Sequence, residues 1–93
     1  MIASFRDKET ERLWRLGKSR RIRADLERRA FKKLAILNAA VALENLRVPP
    51  GNDLEALRGN RSGQHSIRIN DHHRVCFVWR DGNAFDVEIV DYH

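Results

Sequence analysis

The chain has 93 residues, of which 42% are hydrophobic and 33% charged, a composition typical of a globular protein and not of a disordered one. This length predicts one small domain, residues 1–93, with a single modest core. No apolar run is long enough to span a membrane, and the first residues lack the apolar segment of a signal peptide. One cysteine, Cys76, excludes an internal disulfide framework. Together these features predict a cytoplasmic protein without a membrane partner.

The net charge of +5 is unevenly distributed along the chain. Residues 1–48 contain 13 Lys/Arg against 6 Asp/Glu, a balance of +7, whereas residues 49–93 contain 5 against 7, a balance of −2. A basic half attracts polyanions and accelerates encounter with nucleic acid. Charge alone does not distinguish this role from that of an ordinary solvated helix surface.

The first half of the chain predicts two helices after a short apolar pairing segment, "MIASF". Asp7 or Thr10 caps the first helix, which ends at Gly17. The second helix runs from about Asp25 to Asn38, and residues 52–63 then predict a turn of helix followed by a loop. The predicted apolar sides comprise Leu13, Trp14 and Leu16 in the first helix, and Ile22, Leu26, Ala30, Leu34, Leu37 and Val41 in the second.

The last third of the chain predicts three strands with alternating apolar residues, and a hairpin turn at Asp81–Gly82. A two-residue loop there would place Phe77 against Asp86, which would oppose a core residue to a solvent residue. A three-residue loop that includes Asn83 avoids this mismatch, so the second register is favoured. The predicted cross-strand pairs are Phe77 with Val87, Trp79 with Phe85 and, in the earlier hairpin, Ile67 with Val75.

In this register the odd-numbered side chains form the core and the even-numbered ones form an open face of the sheet. Arg68 falls opposite Arg74, an arrangement that is unfavourable unless an anion separates the two guanidinium groups. The open face is therefore a candidate anion site, unless the arginines simply pair with Glu88 or Asp86 as surface salt bridges. The predicted open face comprises Ser66, Arg68, Arg74, Cys76, Glu88, Val90 and Tyr92.

The sequence ends with three groups that can carry acid–base chemistry. Tyr92 can stack on a base or transfer a proton, His93 can move protons near neutral pH, and Asp91 can orient His93 or act as a base. With arginines to stabilise the transition state, these are the parts of a metal-independent RNase. The alternative is a packed tyrosine and an exposed histidine. No cofactor is predicted, and zinc is disfavoured because His72 and His73, adjacent on a strand, point to opposite faces.

The stretch "PPGNDLEALRGNRSGQHSIRINDHHRVCFVW" and the closing "VEIVDYH" resemble the HigB-type toxins of the RelE superfamily, and the resemblance covers essentially the whole chain. It implies an α+β, RelE-like fold in which two N-terminal helices pack on one face of a small, mostly antiparallel sheet. It implies a toxin that enters the A site of the small ribosomal subunit and cleaves mRNA there. It also implies a HigA-type helix-turn-helix antitoxin, through which the pair would bind operator DNA and repress its own operon.

The resemblance also assigns roles by position. Arg74 matches the arginine that holds the scissile phosphate, and Arg58 stands where relatives often carry lysine. Some relatives have a histidine just before that lysine, in a "HPLKG"-like stretch, where this chain has Glu55; either Glu55 or His93 then takes its role. The implied catalytic residues are Asp91, Tyr92, His93, Arg74, Arg58 and Glu55. Apart from the resemblance, charge and register predict the RNA- or phosphate-binding residues Arg68, Arg20, Arg21, Arg23, Lys32 and Lys33.

Two functions remain open from the sequence. The first is a ribosome-dependent mRNA endoribonuclease that inhibits translation. The second is a non-catalytic toxin that docks on the ribosome or acts only as a corepressor with its antitoxin, and the absence of the upstream histidine keeps it open.

Overall fold

The computed structural model describes residues 1–92, which form two α-helices, three short 3₁₀ turns and a four-stranded antiparallel sheet. The sheet order follows the chain, β1-β2-β3-β4. The helices are α1 (Lys8–Leu16) and α2 (Ala24–Ala39), and the strands are β1 (Glu55–Ala56), β2 (His65–Arg68), β3 (His73–Arg80) and β4 (Asn83–Asp91). The predicted α+β architecture is confirmed. None of the helices within this described range is long and apolar enough to cross a membrane.

Helix α1 begins and ends where its sequence signals place it. The Asp7 carboxylate accepts a hydrogen bond from the backbone N–H of Thr10 at 3.0 Å, which satisfies one of the unpaired donors of the first turn. Gly17 ends the helix with φ 74°, a left-handed conformation that favours glycine. Leu13 is fully buried, but Leu16 is 63% exposed, so the apolar side is narrower than predicted.

Helix α2 covers the predicted range with one additional residue at each end. Its buried stripe comprises Leu26, Ala30, Leu34 and Leu37, at the spacing of one helical face. Val41 was predicted to extend this stripe, but it is 80% exposed. The helix ends at Ala39, so the helical period does not set the direction of the Val41 side chain.

Strand β1 was predicted as part of a helical turn and loop. Instead, Glu55 pairs with Ser66 and Ala56 with His65, and the backbone N–H of Leu57 continues the pairing by donating to Gln64 O at 2.9 Å. A strand of two residues is too short to show the alternating pattern of a strand in the sequence. Its extended conformation is determined by pairing with the neighbouring strand β2. The helical turns of this region lie on either side of β1, at Pro50–Asn52 and Gly59–Arg61.

The β3–β4 hairpin corrects the predicted loop. Its loop has two residues, because Arg80 pairs with Asn83 and Trp79 with Ala84, rather than Trp79 with Phe85. The register then shifts by one residue between Cys76 and Val78, and the more distant pair Val75↔Ile89 has the predicted register. The register shift is a β-bulge. It allows a two-residue turn and still places Val87 on the buried face of the sheet.

Asp86 is the residue of β4 that absorbs this shift. It has φ 52°, and its backbone N–H donates to Ser4 Oγ at 2.9 Å instead of to the ladder. The shift reverses the faces of the first residues of β4. Ala84 is buried in the core, whereas Phe85, predicted as core, lies 4.2 Å below the Arg80 guanidinium on the other face.

The N-terminal segment pairs with the sheet, as predicted for "MIASF". Ile2 bridges to Ala84 and Phe5 bridges to Val87, both in the parallel direction. The segment therefore lies along the outer edge of β4 and covers backbone groups that would otherwise be unpaired.

The core lies between the helices and the predicted odd-numbered face of the sheet. Leu13 and Leu34 meet Ile67, Val75 and Phe77, all fully buried, and the predicted pair Ile67↔Val75 is confirmed. The other face, predicted to be open, is partly covered. Ser66 and Cys76 point to that face and are also fully buried, and the groups that cover them form the candidate site.

Candidate functional site

On the sheet face away from the helices, two rows of side chains run across the strands. One row is Glu55, Ser66, Cys76 and Glu88, each the direct partner of the next on the neighbouring strand. The adjacent row includes Arg68, Arg74 and Val90. Directly opposed residues in antiparallel strands have side chains about 5 Å apart, so groups from all four strands meet on this face.

Arg74 is the centre of this face. Its Nε donates to the Ser66 hydroxyl at 2.7 Å, and one terminal nitrogen lies 3.2 Å from Asp53 Oδ2 and 3.5 Å from Glu55 Oε1. The other terminal nitrogen donates to the carbonyl oxygen of Asp53. The Arg74 side chain is only 12% exposed, whereas Asp53 and Glu55 are 57% and 52% exposed. The guanidinium is therefore fixed, and the carboxylates that face it are in contact with solvent.

This arrangement corrects the prediction for the opposed arginines. Arg68 does fall opposite Arg74, but each has a carboxylate of its own, because Arg68 pairs with Asp71 and Arg74 pairs with the 53–55 segment. Neither pairs with Glu88 or Asp86, the alternative that the sequence left open. Because a guanidinium fork fits carboxylate and phosphate oxygens alike, Asp53 and Glu55 occupy positions that a phosphate can take at Arg74.

Tyr92 lies on the same face, at the end of β4. Its hydroxyl is 3.4 Å from Cys76 Sγ, and its backbone N–H donates to the carbonyl oxygen of His72 at 2.5 Å. Tyr92 and Arg74 together cover Cys76 and Ser66, which explains why these two small side chains are buried. Burial raises the pKa of the Cys76 thiol, so Cys76 is a packed small side chain and not a reactive thiolate.

Arg61 is a member of this face that the sequence reasoning missed. One of its terminal nitrogens is 3.1 Å from Glu88 Oε2 and 3.1 Å from Gln64 Oε1. The hydrogen bond to Glu88 raises the pKa of the Arg61 guanidinium. The signal was present, because Arg61 lies within the "RGNRSGQ" stretch that carries part of the family resemblance. No chemistry was assigned to it because its partner Glu88 lies 27 residues away.

The phenol of Tyr92 is held in its neutral form. Burial, followed by the hydrogen bond with Cys76, raises the pKa of Tyr92 to about 12, against the opposing effect of the nearby Arg61 and Arg74. Near neutral pH, Tyr92 can therefore donate a hydrogen bond or a proton, but it cannot serve as a base.

The chain has one tyrosine, so tyrosinate absorbance in the ultraviolet reports on Tyr92 alone. We expect the folded protein to show an ionisation near pH 12, compared with about 10 for an exposed tyrosine. Because the folded pKa exceeds the unfolded value, the stability contribution is fully present below about pH 10 and is lost as the pH rises towards 12. The control is the same titration in denaturant. An ordinary tyrosine pKa in the folded protein would contradict this environment.

The terminal cluster is divided between the two sides of β4. Asp91 lies opposite His73 and faces the start of α2, with its Oδ2 3.8 Å from His73 Nε2. Tyr92, the next residue, faces Arg74 instead. Among the predicted catalytic residues, the structure thus brings together Arg74, Glu55 and Tyr92. Asp91 lies on the other side of the strand, Arg58 is exposed before the last 3₁₀ turn, and His93 lies outside the described residues.

Five of the six predicted RNA-binding residues line two grooves beside α2. Lys32, Lys33 and Arg68 line one groove. Arg21 and Arg23 line the other, together with His73 and Asp91. Arg20 is exposed, and its backbone N–H donates to Glu9 at 2.7 Å.

The arrangement of helices and strands is that of RelE-like toxins. A chain of the YoeB–YefM complex from Staphylococcus aureus is similar to this chain, with a TM-score of 0.62 and 15% sequence identity. The similarity covers 100% of this chain and 98% of the S. aureus chain, and it shows that the two have the same fold. Residues 3–93 match the family described as "RelE-like toxin of type II toxin-antitoxin system HigB". The chain therefore belongs to the HigB family of RelE-like toxins.

Curated relatives agree with this assignment. Toxin HigB-1 of Vibrio cholerae serotype O1 (strain ATCC 39315 / El Tor Inaba N16961) is 44% identical over 87 residues, which cover 92% of each chain. An uncharacterised protein of Haemophilus influenzae (strain ATCC 51907 / DSM 11121 / KW20 / Rd) is 30% identical over 81 residues, covering 86% of this chain and 80% of the relative.

Proposed function

We propose that this HigB-family toxin is a ribosome-dependent endoribonuclease, a single domain that works in the cytoplasm and cleaves mRNA in the A site. The observation that carries the proposal is the state of Arg74, a guanidinium that is 12% exposed, fixed by Ser66 and placed on the same face as Tyr92. A fixed cationic fork beside a neutral phenol is suited to a reaction that develops charge on a phosphate and needs a proton for its leaving group.

In the proposed reaction, the ribose 2′-oxygen attacks the adjacent phosphorus, and the bond from phosphorus to the 5′-oxygen breaks. Arg74 stabilises the additional negative charge on the phosphoryl oxygens. Tyr92, protonated near neutral pH, donates a proton to the leaving 5′-oxygen. Glu55 or His93 accepts the proton of the 2′-hydroxyl. Asp91 faces the other side of β4 and acts only through His93, and Arg58 assists from the surface.

The carboxylates at Arg74 have a specific part in this proposal. Asp53 and Glu55 are more than half exposed, so they regain water readily when a phosphate replaces them at the guanidinium. Glu55, released from Arg74, then lies beside the bound phosphate as a base. The toxin without RNA thus keeps its phosphate-binding arginine neutralised and in position.

The proposed partners follow from the family. The S. aureus YoeB structure is a complex with YefM, and we propose that this chain likewise binds an antitoxin, of the HigA helix-turn-helix type, which carries the pair to operator DNA. The basic grooves beside α2 would contact ribosomal or messenger RNA backbone. The reaction written above uses only side chains, without a metal or cofactor.

The test is to incubate the purified chain with mRNA, with and without ribosomes, and to map the new 5′ ends. We expect cuts within ribosome-bound message, with 5′-hydroxyl ends, and no cuts in message without ribosomes. Growth arrest on expression without any cut message would instead favour the non-catalytic toxin. That second function is consistent with the carboxylates that already occupy Arg74.

A further inference from the structure

A second cationic site lies around the edge of the sheet from Arg74. It is a groove between α2 and the turn of the "PPGN" motif, whose role the proposed reaction does not explain. The walls are apolar, from Ile36, Pro49 and Ile69, and four cationic side chains surround them: Arg29, Lys32, Lys33 and Arg68. None of the residues that line the groove is acidic.

Asn52, the last residue of this motif, holds one of these cations in place. Lys33 Nζ donates to Asn52 Oδ1 at 2.6 Å. Asn52 is fully buried, and its Nδ2 donates to the carbonyl oxygens of Leu46 at 3.1 Å and Val48 at 3.2 Å. Because all three contacts fix the amide, its oxygen is directed at Lys33. A flexible lysine is thereby pre-organised, which lowers the entropy cost of binding an anion.

The electrostatics of the groove indicate an anionic ligand. Burial lowers the pKa of Lys33. The nearby charges of Arg29 and Arg68 lower it further, because these cations repel the Lys33 ammonium group in the unliganded protein. Arg68 pairs with Asp71, a carboxylate that is 83% exposed. A bound anion would relieve this repulsion, and a phosphate group fits both the guanidinium forks and the lysine ammonium groups.

The position of the groove relative to Arg74 selects the ligand. Arg68 and Arg74 are direct partners on neighbouring strands, which lie about 5 Å apart. A strand whose phosphate lies at Arg74 can therefore continue past Arg68 into the groove, with its riboses or bases against the apolar walls.

We propose that the groove of Arg29, Lys32, Lys33 and Arg68 binds a phosphodiester that flanks the scissile one in the same RNA strand, with Asn52 positioning Lys33. This rests on the proposed endoribonuclease function and adds to it a second phosphate subsite. Contacts to phosphates fix the register of a strand without reading its sequence.

The test uses the full chain and single-stranded 2′-O-methyl RNA oligonucleotides, which cannot be cleaved by 2′-oxygen attack. The double variant Lys32→Gln/Lys33→Gln is compared with Lys8→Gln/Lys18→Gln, which removes the same charge from exposed lysines at the two ends of α1. The slope of log Kd against log salt falls by about 0.7 for each phosphate that is no longer neutralised, and the groove holds one phosphate, so the groove variant should lose about 0.7 and the control almost nothing. The loss should appear for a hexanucleotide and be absent for a dinucleotide.

Equal slopes of log Kd against log salt for the two double variants, with unchanged melting temperatures, would contradict the proposed phosphate subsite. A defect seen only on intact ribosomes, with oligonucleotide binding unchanged, would overturn it as well, because the ligand would then be ribosomal RNA. The result does not depend on catalysis. If the salt dependence of RNA binding falls in the groove variant while the unmodified chain cuts no message, the subsite stands and the proposed function fails. If the groove variant binds RNA with unchanged salt dependence while the unmodified chain cuts message, only the subsite fails.

Discussion

Removal of Tyr92 and His93 is expected to lower mRNA cleavage by at least about 10²-fold, the contribution of one positioned proton transfer, while the fold and antitoxin binding remain intact. The truncated chain would still contain all of β4, which ends at Asp91, and the pairing of His73 with Asp91. It would lose the neutral phenol beside Arg74 and the terminal imidazole. The measurement is the rate of message cutting on ribosomes, with antitoxin capture as the test of folding.

A matched variant separates the hydroxyl of Tyr92 from its ring. Tyr92→Phe keeps the ring over Cys76 but has no proton to donate. If Tyr92 is the acid, Tyr92→Phe should approach the truncated chain in rate. If it only stacks on a base, Tyr92→Phe should remain close to the unmodified protein. A truncated chain that cuts message at the full rate would show that the assignment of this site is wrong.

Replacement of Arg74 by Met is expected to lower cleavage by about 10²–10³-fold, as for other pre-organised groups that stabilise developing charge. The change leaves Asp53 and Glu55 without a cation on a face that must accept an anion, so it also turns an attractive site into a repulsive one. Arg74→Lys restores the charge but not the planar fork, and should recover only part of the rate. The measurement is single-turnover cleavage on ribosomes for each variant.

The control for Arg74 lies on the same strand. Arg80→Met makes the same chemical change at an exposed position over the Phe85 ring, at the far end of β3. Loss of Arg74 also removes the partner of the buried Ser66 hydroxyl, which costs about 1–3 kcal/mol of stability, so rates are to be compared at temperatures where every variant is folded. Equal activity of the Arg74 and Arg80 variants would remove Arg74 from the mechanism.

The structure also separates two roles for charge in this protein. At the Arg74 face, Arg74 is neutralised by carboxylates, so RNA bound there as proposed would exchange one anion for another. In the groove beside α2, none of the described lining residues is acidic, and Arg68 pairs with the exposed Asp71, so an anion bound there would relieve repulsion among the cations. Salt should therefore weaken the contact at the groove more than the contact at Arg74.

The sequence by itself determined the features that depend on neighbours along the chain. The cap at Asp7, the left-handed Gly17 and the apolar stripe of α2 all follow from side chains within a few residues of one another. The alternation of β2 and β3 was sufficient to assign the faces of Ile67 and Val75. The pattern of the 49–79 stretch and the closing residues was sufficient to identify the family.

The tertiary structure decided what depends on contacts between distant segments. Arg74 finds Asp53 across 21 residues, Arg61 finds Glu88 across 27, and Lys33 finds Asn52 across 19, and no local pattern encodes such pairs. The two-residue turn with a bulge at Asp86 depends on the N-terminal segment, whose Ser4 hydroxyl accepts the displaced backbone N–H. Strand β1 likewise forms because β2 offers it an edge. The local free energies of these segments differ too little to select them, so packing and hydrogen bonding across the sheet make the choice.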